Sequence, residues 1–255
     1  MIDTIEVLTS ISRKAGSEIL NIYHNETLSR EIESKSDNSP LTLADKASNR
    51  VIVNSLQNSF PDIPILSEEE KHVEYGERSK WKRFWLVDPL DGTKEFIKRN
   101  GEFTVNIALI DKGYPVLGII YAPVLDTLYL GIISEKIAYK IDEAGVKTDL
   151  KVNNKSHRRT AVGSRSHSSR EEADLLGTYD VVGTLSGGSS LKFCMVAEGK
   201  ADIYYRHGPT MEWDTCAGQA IVEASGGTVT NMQTRERFNY NKENLLNGSF
   251  LVKGF

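Results

Sequence analysis

The chain has 255 residues, of which 39% are hydrophobic and 26% charged, as in an ordinary soluble globular protein with a sizeable core. Its formal net charge of −4 excludes the broad basic surface that binds nucleic acid, whereas a small phosphorylated ligand needs only a local positive site. The two cysteines, Cys194 and Cys216, fall in segments predicted to be helical. We therefore expect two buried free thiols, no disulfide framework and a reducing, cytoplasmic compartment.

The N-terminal stretch predicts an amphipathic helix. Apolar residues recur at three- and four-residue spacing from Ile5 to Ile22, and Asp3 followed by Glu6 resembles a capping pair at the start. The stretch carries acids early and has no long apolar run. It therefore predicts neither a secretory signal nor a membrane span.

The next segments predict a loop, a helix and a short strand. The run ESKSDNSP (33–40) is polar and typical of a loop. A second amphipathic helix is expected from about Leu43 to Phe60, with apolar residues on its inner side. The run IPILSEEE (63–70) then predicts a short buried strand that leads into acids.

Strands dominate from Arg83 to Tyr139, and strands alternate with helices after the polar segment 148–159. That polar segment is the predicted boundary between an N-terminal α+β subdomain, 1–150, and a C-terminal α/β subdomain, 151–255. The fold class we expect is α/β, a layered chain of two subdomains. The predicted C-terminal elements are strand TAVGSRS, a helix capped by Ser169 and Glu172, a strand near 179–182, helix SLKFCMVAEG, strand ADIYYR and helix TCAGQAIVEAS.

Two aspartates three residues apart follow a predicted buried strand in the segment WLVDPLDGTKEF (85–96). A buried carboxylate must be paired or bind a metal ion, and further acids arrive in the SEEE run after another predicted strand. Oxygen ligands without histidine or cysteine suit Mg²⁺ or Mn²⁺ and not zinc. We therefore expect Asp88 and Asp91 to face one metal pocket, to which the carbonyl of Leu90 adds a further oxygen.

Each acid also has a structural explanation when its segment is taken alone. DPLDG is compatible with a turn that the acids cap, and SEEE with a solvated surface run. Asp214, in MEWDTCAG, could N-cap the helix that follows it. Asp45 lies in the first turn of its predicted helix, where an acid complements the helix dipole. For each acid, the structural interpretation and the functional one both stay open when its segment is taken alone.

In their order and spacing, SEE (67–69), WLVDPLDGTKEF (85–96) and EWDTCAG (212–218) resemble the inositol-monophosphatase-like superfamily of Mg²⁺-dependent, lithium-sensitive phosphatases. The resemblance covers nearly the whole chain and implies an αβαβα sandwich. Residues 85–123 and 188–218 look most like the bacterial 3′(2′),5′-bisphosphate nucleotidases, which act on adenosine 3′,5′-bisphosphate, a by-product of sulfate assimilation. Ser67 stands where many inositol phosphatases carry glycine, although the bisphosphate nucleotidases tolerate serine or threonine there.

The resemblance implies a role for each of these acids. Asp45 and Thr93 match the family's pair that positions or activates the attacking water, and Glu68 is counted with them as catalytic as well as being a metal ligand. Gly92 and Thr93 are expected to begin a short helix whose backbone N–H groups approach the phosphate closely. Two or three Mg²⁺ ions are implied, with Mn²⁺ as a substitute. The implied metal ligands are Glu68, Asp88, Asp91, Asp214 and the Leu90 carbonyl, and the last three also border the substrate.

The C-terminal half is expected to select the substrate. Ser189 and Lys192 lie at the start of a predicted helix, and Arg206 ends the strand ADIYYR. By resemblance these three residues match positions that bind the second phosphate of the nucleotide, and His167 matches a residue near the base. Three of these four residues also have simpler explanations: Lys192 as a helix lysine with its head in solvent, Arg206 as a strand-end charge and His167 as a surface histidine.

The leading hypothesis is a Mg²⁺-dependent phosphatase that removes the 3′(2′)-phosphate of adenosine 3′(2′),5′-bisphosphate. A phosphosulfate nucleotide is a further candidate substrate. The alternatives are an inositol or sugar monophosphatase on the same scaffold and a catalytically silent nucleotide-binding protein. We expect a monomer or homodimer in the cytoplasm. Some relatives sit peripherally on the cytoplasmic face of the inner membrane, but the sequence shows no basic amphipathic segment that would demand this.

Overall fold

The computed structural model describes residues 2–34, 40–71, 73–154, 156–164 and 169–255. In this part of the chain no helix combines the length and the apolar character that crossing a bilayer requires. The helices are α1 (Ile2–Tyr23), α2 (Leu43–Ser59), α3 (Tyr75–Arg78), α4 (Thr93–Ile97), α5 (Arg170–Gly177), α6 (Leu191–Ala197) and α7 (Glu212–Ala224), with a short 3-10 helix at Leu28–Arg30.

Two large sheets contain most of the strands. The first sheet has the strand order β3-β4-β5-β6-β7-β8-β9 and is antiparallel except for the parallel pair β3–β4. Its strands are β3 (Ile65–Ser67), β4 (Arg83–Asp91), β5 (Thr104–Asp111), β6 (Tyr114–Ala122), β7 (Thr127–Ile132), β8 (Ile137–Ile141) and β9 (Lys147–Asp149). The second has the order β11-β10-β12-β16-β14, and its strands are β10 (Arg159–Gly163), β11 (Val181–Ser186), β12 (Ile203–Arg206), β14 (Thr228–Asn231) and β16 (Phe250–Lys253). Two small antiparallel pairs join β1 (Ile32–Ser34) with β2 (Pro40–Thr42) and β13 (Thr210–Met211) with β15 (Leu246–Asn247).

Helical and sheet layers alternate, so the expected αβαβα sandwich is confirmed. Helices α1 and α2 cover one face of the seven-stranded sheet, and α7 covers the other. Helix α6 packs between α7 and the five-stranded sheet, and α5 packs on the outer side of that sheet. Strand β5 shows why both faces are apolar: Ile107 belongs to the core under α1 and α2, while its neighbour Ala108 belongs to the core under α7.

Helix α7 approaches the seven-stranded sheet unusually closely. A Cβ atom on Gly118 of β6 would lie 2.5 Å from the carbonyl oxygen of Ala217, and one on Gly131 of β7 would lie 2.5 Å from the Cα of Ile221. The missing side chains let the helix backbone rest on the strands. Residues after 151 therefore share a hydrophobic core with the seven-stranded sheet, and α7 brings its N-terminus to the end of β4.

Most predicted elements are confirmed, and several boundaries are wrong. The predicted loop 33–40 begins and ends in paired strands, with Ile32 opposite Thr42, and its residues 35–39 lie outside the described ranges. The strand expected near 179–182 instead runs from Val181 to Ser186, because its pairing with β10 extends it. Asp3 lies inside the first turn of α1 and does not precede the helix. Both cysteines are buried free thiols, as expected.

Candidate active site

Strand β4 delivers two of the predicted acids to one edge of the seven-stranded sheet. Asp88 pairs with Asn106 on β5 and Asp91 pairs with Thr104, so β4 carries one extra residue between these two pairs. The backbone N–H of Leu90 donates to Asp88 Oδ1 at 3.0 Å, which fixes the local turn. The irregularity replaces strict alternation, which would have placed two residues three apart on opposite faces.

Helix α2 fastens this turn from the other side. The hydroxyl of Ser48 donates to the carbonyl oxygen of Pro89 at 2.7 Å, and both residues are buried. The bend that separates the two acids is therefore held by a specific hydrogen bond as well as by proline. Sequence reasoning missed Ser48, because a polar residue in an amphipathic helix carries no signal of its partner.

The third residue of a helix supplies an acid at two further positions. Asp45 Oδ2 accepts from the backbone N–H of Thr42 at 2.7 Å, and Asp214 Oδ2 accepts from that of Met211 at 2.8 Å. Asp214 is not itself the N-cap residue, because α7 begins at Glu212 and its N-cap residue is Met211; Asp214 caps the helix from its third position, by accepting the Met211 N–H. Both acids sit where a carboxylate complements the helix dipole and satisfies a backbone donor.

Glu68 follows β3 and is held beside β4. Its backbone N–H donates to the carbonyl of Val87 at 3.2 Å, so the SEEE run continues the parallel pairing of the two strands. The preceding Ser67 is buried and donates to Asn49 Oδ1 at 2.7 Å, and Asn49 Nδ2 donates to Glu70 at 2.7 Å. The solvated-run interpretation is therefore wrong for the first part of SEEE, although Glu70 itself is exposed.

The acids share one electrostatic environment. Burial raises the pKa of Asp88 well above its ordinary value, and the charges of Glu68, Asp91, Asp214 and Asp45 raise it further. Burial also raises the pKa of Asp214, reinforced by Asp91 and Glu68 and opposed by the Met211 N–H and by Arg206. A cluster of negative charge of this kind favours protonation or a cation.

The oxygen atoms of three aspartates are arranged alike. Asp88, Asp91 and Asp214 each hold one carboxylate oxygen in hydrogen bonds, and the other oxygen has no hydrogen-bond partner within the described ranges. In that same part of the chain, no three acidic, histidine or cysteine side chains lie close enough together to hold a metal ion in their present rotamers. The donor set still fits a hard cation, because all its members are oxygens and each aspartate presents an uncommitted one.

Thr93 links the turn to Asp45. Gly92, with φ 94°, precedes α4, and the hydroxyl of Thr93 lies 3.3 Å from Asp45 Oδ1 and 3.4 Å from the carbonyl oxygen of Leu90. The expectation that Gly92 and Thr93 begin a short helix is confirmed. Glycine is required here because the backbone lies in the left-handed region.

A cleft of about 170 Å³ joins the acids to the C-terminal half of the chain. Ser189, Lys192 and Arg206 line it together with Asp91 and Asp214, so the sequence-predicted residues of both halves meet in one place. His167 lies outside the described residues. Among the other lining residues are Gly92, Lys94, Glu95, Ser164, Gly188, Tyr204 and Thr210.

The two predicted cations, Lys192 and Arg206, differ in their hydrogen bonds. Lys192 is buried, burial lowers its pKa, and its ammonium donates to the carbonyl of Ser189 at 2.6 Å and that of Gly187 at 3.4 Å. Arg206 Nε is buried and has no hydrogen-bond partner among the residues described. An orphaned buried donor is costly, so Arg206 is the better candidate for an anion-binding residue, while Lys192 shapes the turn 187–190.

The comparisons with known proteins agree over almost the full length. The model of the inositol monophosphatase family matches residues 2–253. The 3′(2′),5′-bisphosphate nucleotidase CysQ of Escherichia coli K12 is 46% identical over 248 residues, which are 97% of this chain and 98% of that protein. The protein of the same name from Haemophilus influenzae is 35% identical, over 96% of this chain and 90% of its own length.

A solved structure agrees as well. The crystal structure of CysQ from Bacteroides thetaiotaomicron, described as a bacterial member of the inositol monophosphatase family, superposes with a TM-score of 0.84 at 43% identity. The match covers 97% of this chain and 96% of that one. The chain described here therefore belongs to the inositol monophosphatase family.

Proposed function

We propose that this enzyme removes the 3′(2′)-phosphate from adenosine 3′(2′),5′-bisphosphate by Mg²⁺-dependent attack of water, giving AMP. The observation that carries the proposal is the cleft that joins the acid cluster to Arg206, whose buried Nε lacks a partner in the described part of the chain. A bisphosphate needs a site for the reacting phosphate and a separate anion site at a distance from it. The cleft offers the acid cluster for the first and Arg206 for the second. The names of the relatives at 46% and 35% identity support the same substrate class.

The acids would hold the metal ions. Glu68, Asp88, Asp91, Asp214 and the carbonyl of Leu90 are the proposed ligands for two or three Mg²⁺ ions, with Mn²⁺ as a substitute. When bound, such ions supply positive charge for the phosphoryl oxygens and lower the pKa of a coordinated water. Like charges repel, so these carboxylates need a cation to converge, and each of the three aspartates has one oxygen that is not hydrogen-bonded in the described part of the chain.

The remaining residues orient the reaction. Asp45 and Thr93, already in contact at 3.3 Å, would hold the attacking water together with Glu68. The backbone N–H of Thr42 donates to Asp45, and the backbone carbonyl of Leu90 lies within reach of the Thr93 hydroxyl, so the proposed water position is set by groups on regular elements. Gly92 allows the substrate phosphate to approach the backbone at the start of α4.

The C-terminal half would recognise the nucleotide. Arg206 is the proposed donor to the second phosphate, and Ser189 with Lys192 shapes the turn beside it. We propose the division of labour that the sequence predicts, with most metal ligands in residues 1–150 and with Asp214 and the nucleotide contacts in 151–255. His167 stays a predicted base contact. We also propose that the enzyme acts in the cytoplasm as a monomer or homodimer.

The proposal is tested by measuring phosphate release from three substrates with the purified protein. Adenosine 3′,5′-bisphosphate should be turned over with a higher kcat/KM than 3′-AMP or inositol 1-phosphate, because only the bisphosphate fills the Arg206 site. Chelation should abolish turnover, Mg²⁺ should restore it, and Ca²⁺ should not, since it is larger and coordinates more loosely. Millimolar lithium should inhibit. A preference for inositol 1-phosphate, or full turnover after exhaustive chelation, would overturn the proposal.

A further inference from the structure

A chain of buried hydrogen bonds ends on Asp91. The Ser190 hydroxyl lies 2.6 Å from Asp91 Oδ2, and the amide Nδ2 of Asn106 donates to Ser190 Oγ at 2.8 Å. The hydroxyl of Thr104 donates to Asn106 Oδ1 at 3.0 Å. Thr104, Asn106 and Ser190 are all buried. None of these three residues was singled out in the sequence, although Asn106 interrupts an otherwise apolar strand and was a usable signal.

The distances favour one direction for the donors in this chain, because the Thr104 hydroxyl lies 3.0 Å from Asn106 Oδ1 and 3.4 Å from its other acceptor, Ser189 Oγ. Thr104 donates to the amide oxygen of Asn106, which turns the amide nitrogen toward Ser190. Ser190 Oγ therefore accepts from Asn106, and its single proton is available for Asp91 Oδ2 at 2.6 Å, in preference to the carbonyl of Asp214 at 3.0 Å. A hydrogen bond to an ionised carboxylate is shorter and stronger than one to a neutral carbonyl.

Both contacts on Asp91 use the same oxygen. Ser190 Oγ and Asn106 Nδ2 approach Oδ2, at 2.6 and 3.3 Å. Oδ1 has no hydrogen-bond partner in the described ranges. The carboxylate is thereby held through one oxygen while the other is uncommitted in that part of the chain, and Asp91 lines the cleft.

The turn 187–190, which carries Ser190, packs closely against Gly92 and Glu102, which lie on either side of α4. A Cβ atom on Gly188 would lie 2.7 Å from both Cβ and the carbonyl oxygen of Glu102, and one on Gly92 would lie 3.2 Å from Cβ of Ser189. Ser189 itself has a backbone φ of 42°, a left-handed conformation that residues other than glycine rarely adopt. These close contacts restrict how far the turn 187–190, and with it Ser190, can move relative to Asp91.

We propose that Ser190, oriented by Asn106 and Thr104, is a positioning residue that fixes the carboxylate of Asp91 for metal binding. It thereby couples the turn next to the nucleotide site to the metal site. This inference rests on the proposed function, because it concerns the affinity of Asp91 for the cation. Ser190 is not expected to touch the metal or the reacting phosphate.

The test is calorimetric titration of the metal-free protein with Mg²⁺, without substrate, in the wild type and in Ser190→Ala. Losing a hydrogen bond to a charged group should weaken Mg²⁺ binding by about tenfold or more. With Mg²⁺ raised to saturation, most of kcat should return, and the KM for adenosine 3′,5′-bisphosphate should stay within about twofold. Ser225→Ala is the matched control, because Ser225 is also buried but donates to the carbonyl of Val222, within α7.

Thr104→Val is a second, nearly isosteric variant that keeps the inference testable if Ser190→Ala folds poorly. It removes the group that orients Asn106 and should weaken Mg²⁺ binding in the same direction by a smaller factor. Wild-type Mg²⁺ affinity in folded Ser190→Ala, or in Thr104→Val where Ser190→Ala does not fold, would overturn the inference. A wild-type protein that binds no Mg²⁺ would instead overturn the proposed function itself.

Discussion

Asp45 and Asp214 occupy the same position in two different helices, and each carboxylate accepts a hydrogen bond from the backbone N–H of the residue that precedes its helix, at 2.7 and 2.8 Å. The two helices come from opposite halves of the chain, yet the charges of both acids act on Asp88. Each of these acids therefore has two roles: it accepts a backbone N–H at the start of its helix, and it contributes negative charge to the site. The capping and catalytic explanations, which looked exclusive in the sequence, are compatible.

This dual role makes a prediction for Asp214→Asn and Asp45→Asn. The asparagine oxygen can still accept the backbone hydrogen bond, so the helices should persist. The lost negative charge should lower kcat by about 100-fold or more, as removal of other key electrostatic groups does. In chelator, the melting temperature should stay the same or rise, because repulsion within the cluster is relieved.

The matched control for these variants is Asp174→Asn, whose side chain is 73% exposed on α5 and forms a surface ion pair with Arg170. It should change neither kcat nor the melting temperature appreciably. Near-normal turnover by Asp214→Asn would mean that Asp214 acts only in capping.

Raised pKa values predict how the metal-free protein responds to pH. The folded pKa values of Asp88 and Asp214 lie above their ordinary value of 3.8, so the folded state binds these protons more tightly than the unfolded state does. Their contribution to stability is fully present below pH 3.8 and is lost as pH rises through the raised pKa values. Asp88→Asn should therefore flatten the fall of the unfolding free energy above that pH, measured by urea denaturation in chelator.

Mg²⁺ should reverse this dependence, because deprotonated carboxylates bind the ion and binding stabilises the folded state. Denaturation curves at several pH values, with and without Mg²⁺, measure both slopes. Identical slopes for wild type and Asp88→Asn in chelator would contradict the assignment of the raised pKa to this buried cluster.

The proposed nucleotide site predicts a difference between Arg206→Ala and Lys192→Ala. Arg206→Ala should lower kcat/KM for adenosine 3′,5′-bisphosphate by about ten- to a hundredfold, from the loss of a charge-assisted hydrogen bond worth roughly 1.5–3 kcal/mol. It should affect 3′-AMP much less, because that substrate has no second phosphate. Lys192→Ala should impair both substrates, because its ammonium holds the carbonyls of the turn that carries Ser190.

Arg235→Ala, at an exposed position away from the cleft, serves as the control and should leave both kcat/KM values unchanged. The ratio of kcat/KM for the two substrates is the deciding quantity. If Arg206→Ala lowers both values equally, Arg206 serves the fold or the metal site and does not select the second phosphate.

Local sequence patterns predicted most helices and strands. They could not predict how distant segments pair and pack, because that depends on contacts between residues far apart in the chain. The apolar runs of β4 to β8 and the periodicity of α1 and α2 were readable because each element buries a regular face. The pairing of Ile32 with Thr42 was missed because a short polar hairpin has no such periodicity. The placement of β16 between β12 and β14 depends on packing across the chain, which no window of residues reveals.

The site shows the same division. Motif resemblance predicted Asp88, Asp91 and Asp214, and the structure brings their charges together. The positioning contacts of Ser48 and Asn49 depend on which residues of distant segments meet, so single residue types could not reveal them. Lys192 and Arg206 looked alike in the sequence, and their hydrogen bonds distinguish them: Lys192 holds a turn, whereas Arg206 Nε has no partner among the described residues.

The most direct test of the central claim is to identify which phosphate leaves and where the new oxygen comes from. Adenosine 3′,5′-bisphosphate is incubated with the enzyme and Mg²⁺ in ¹⁸O-labelled water, and the products are analysed by ³¹P NMR and mass spectrometry. Water attack on the 3′-phosphate predicts 5′-AMP without label and inorganic phosphate carrying one solvent-derived oxygen. Release of 3′-AMP, label in the nucleotide, or no turnover would contradict the account.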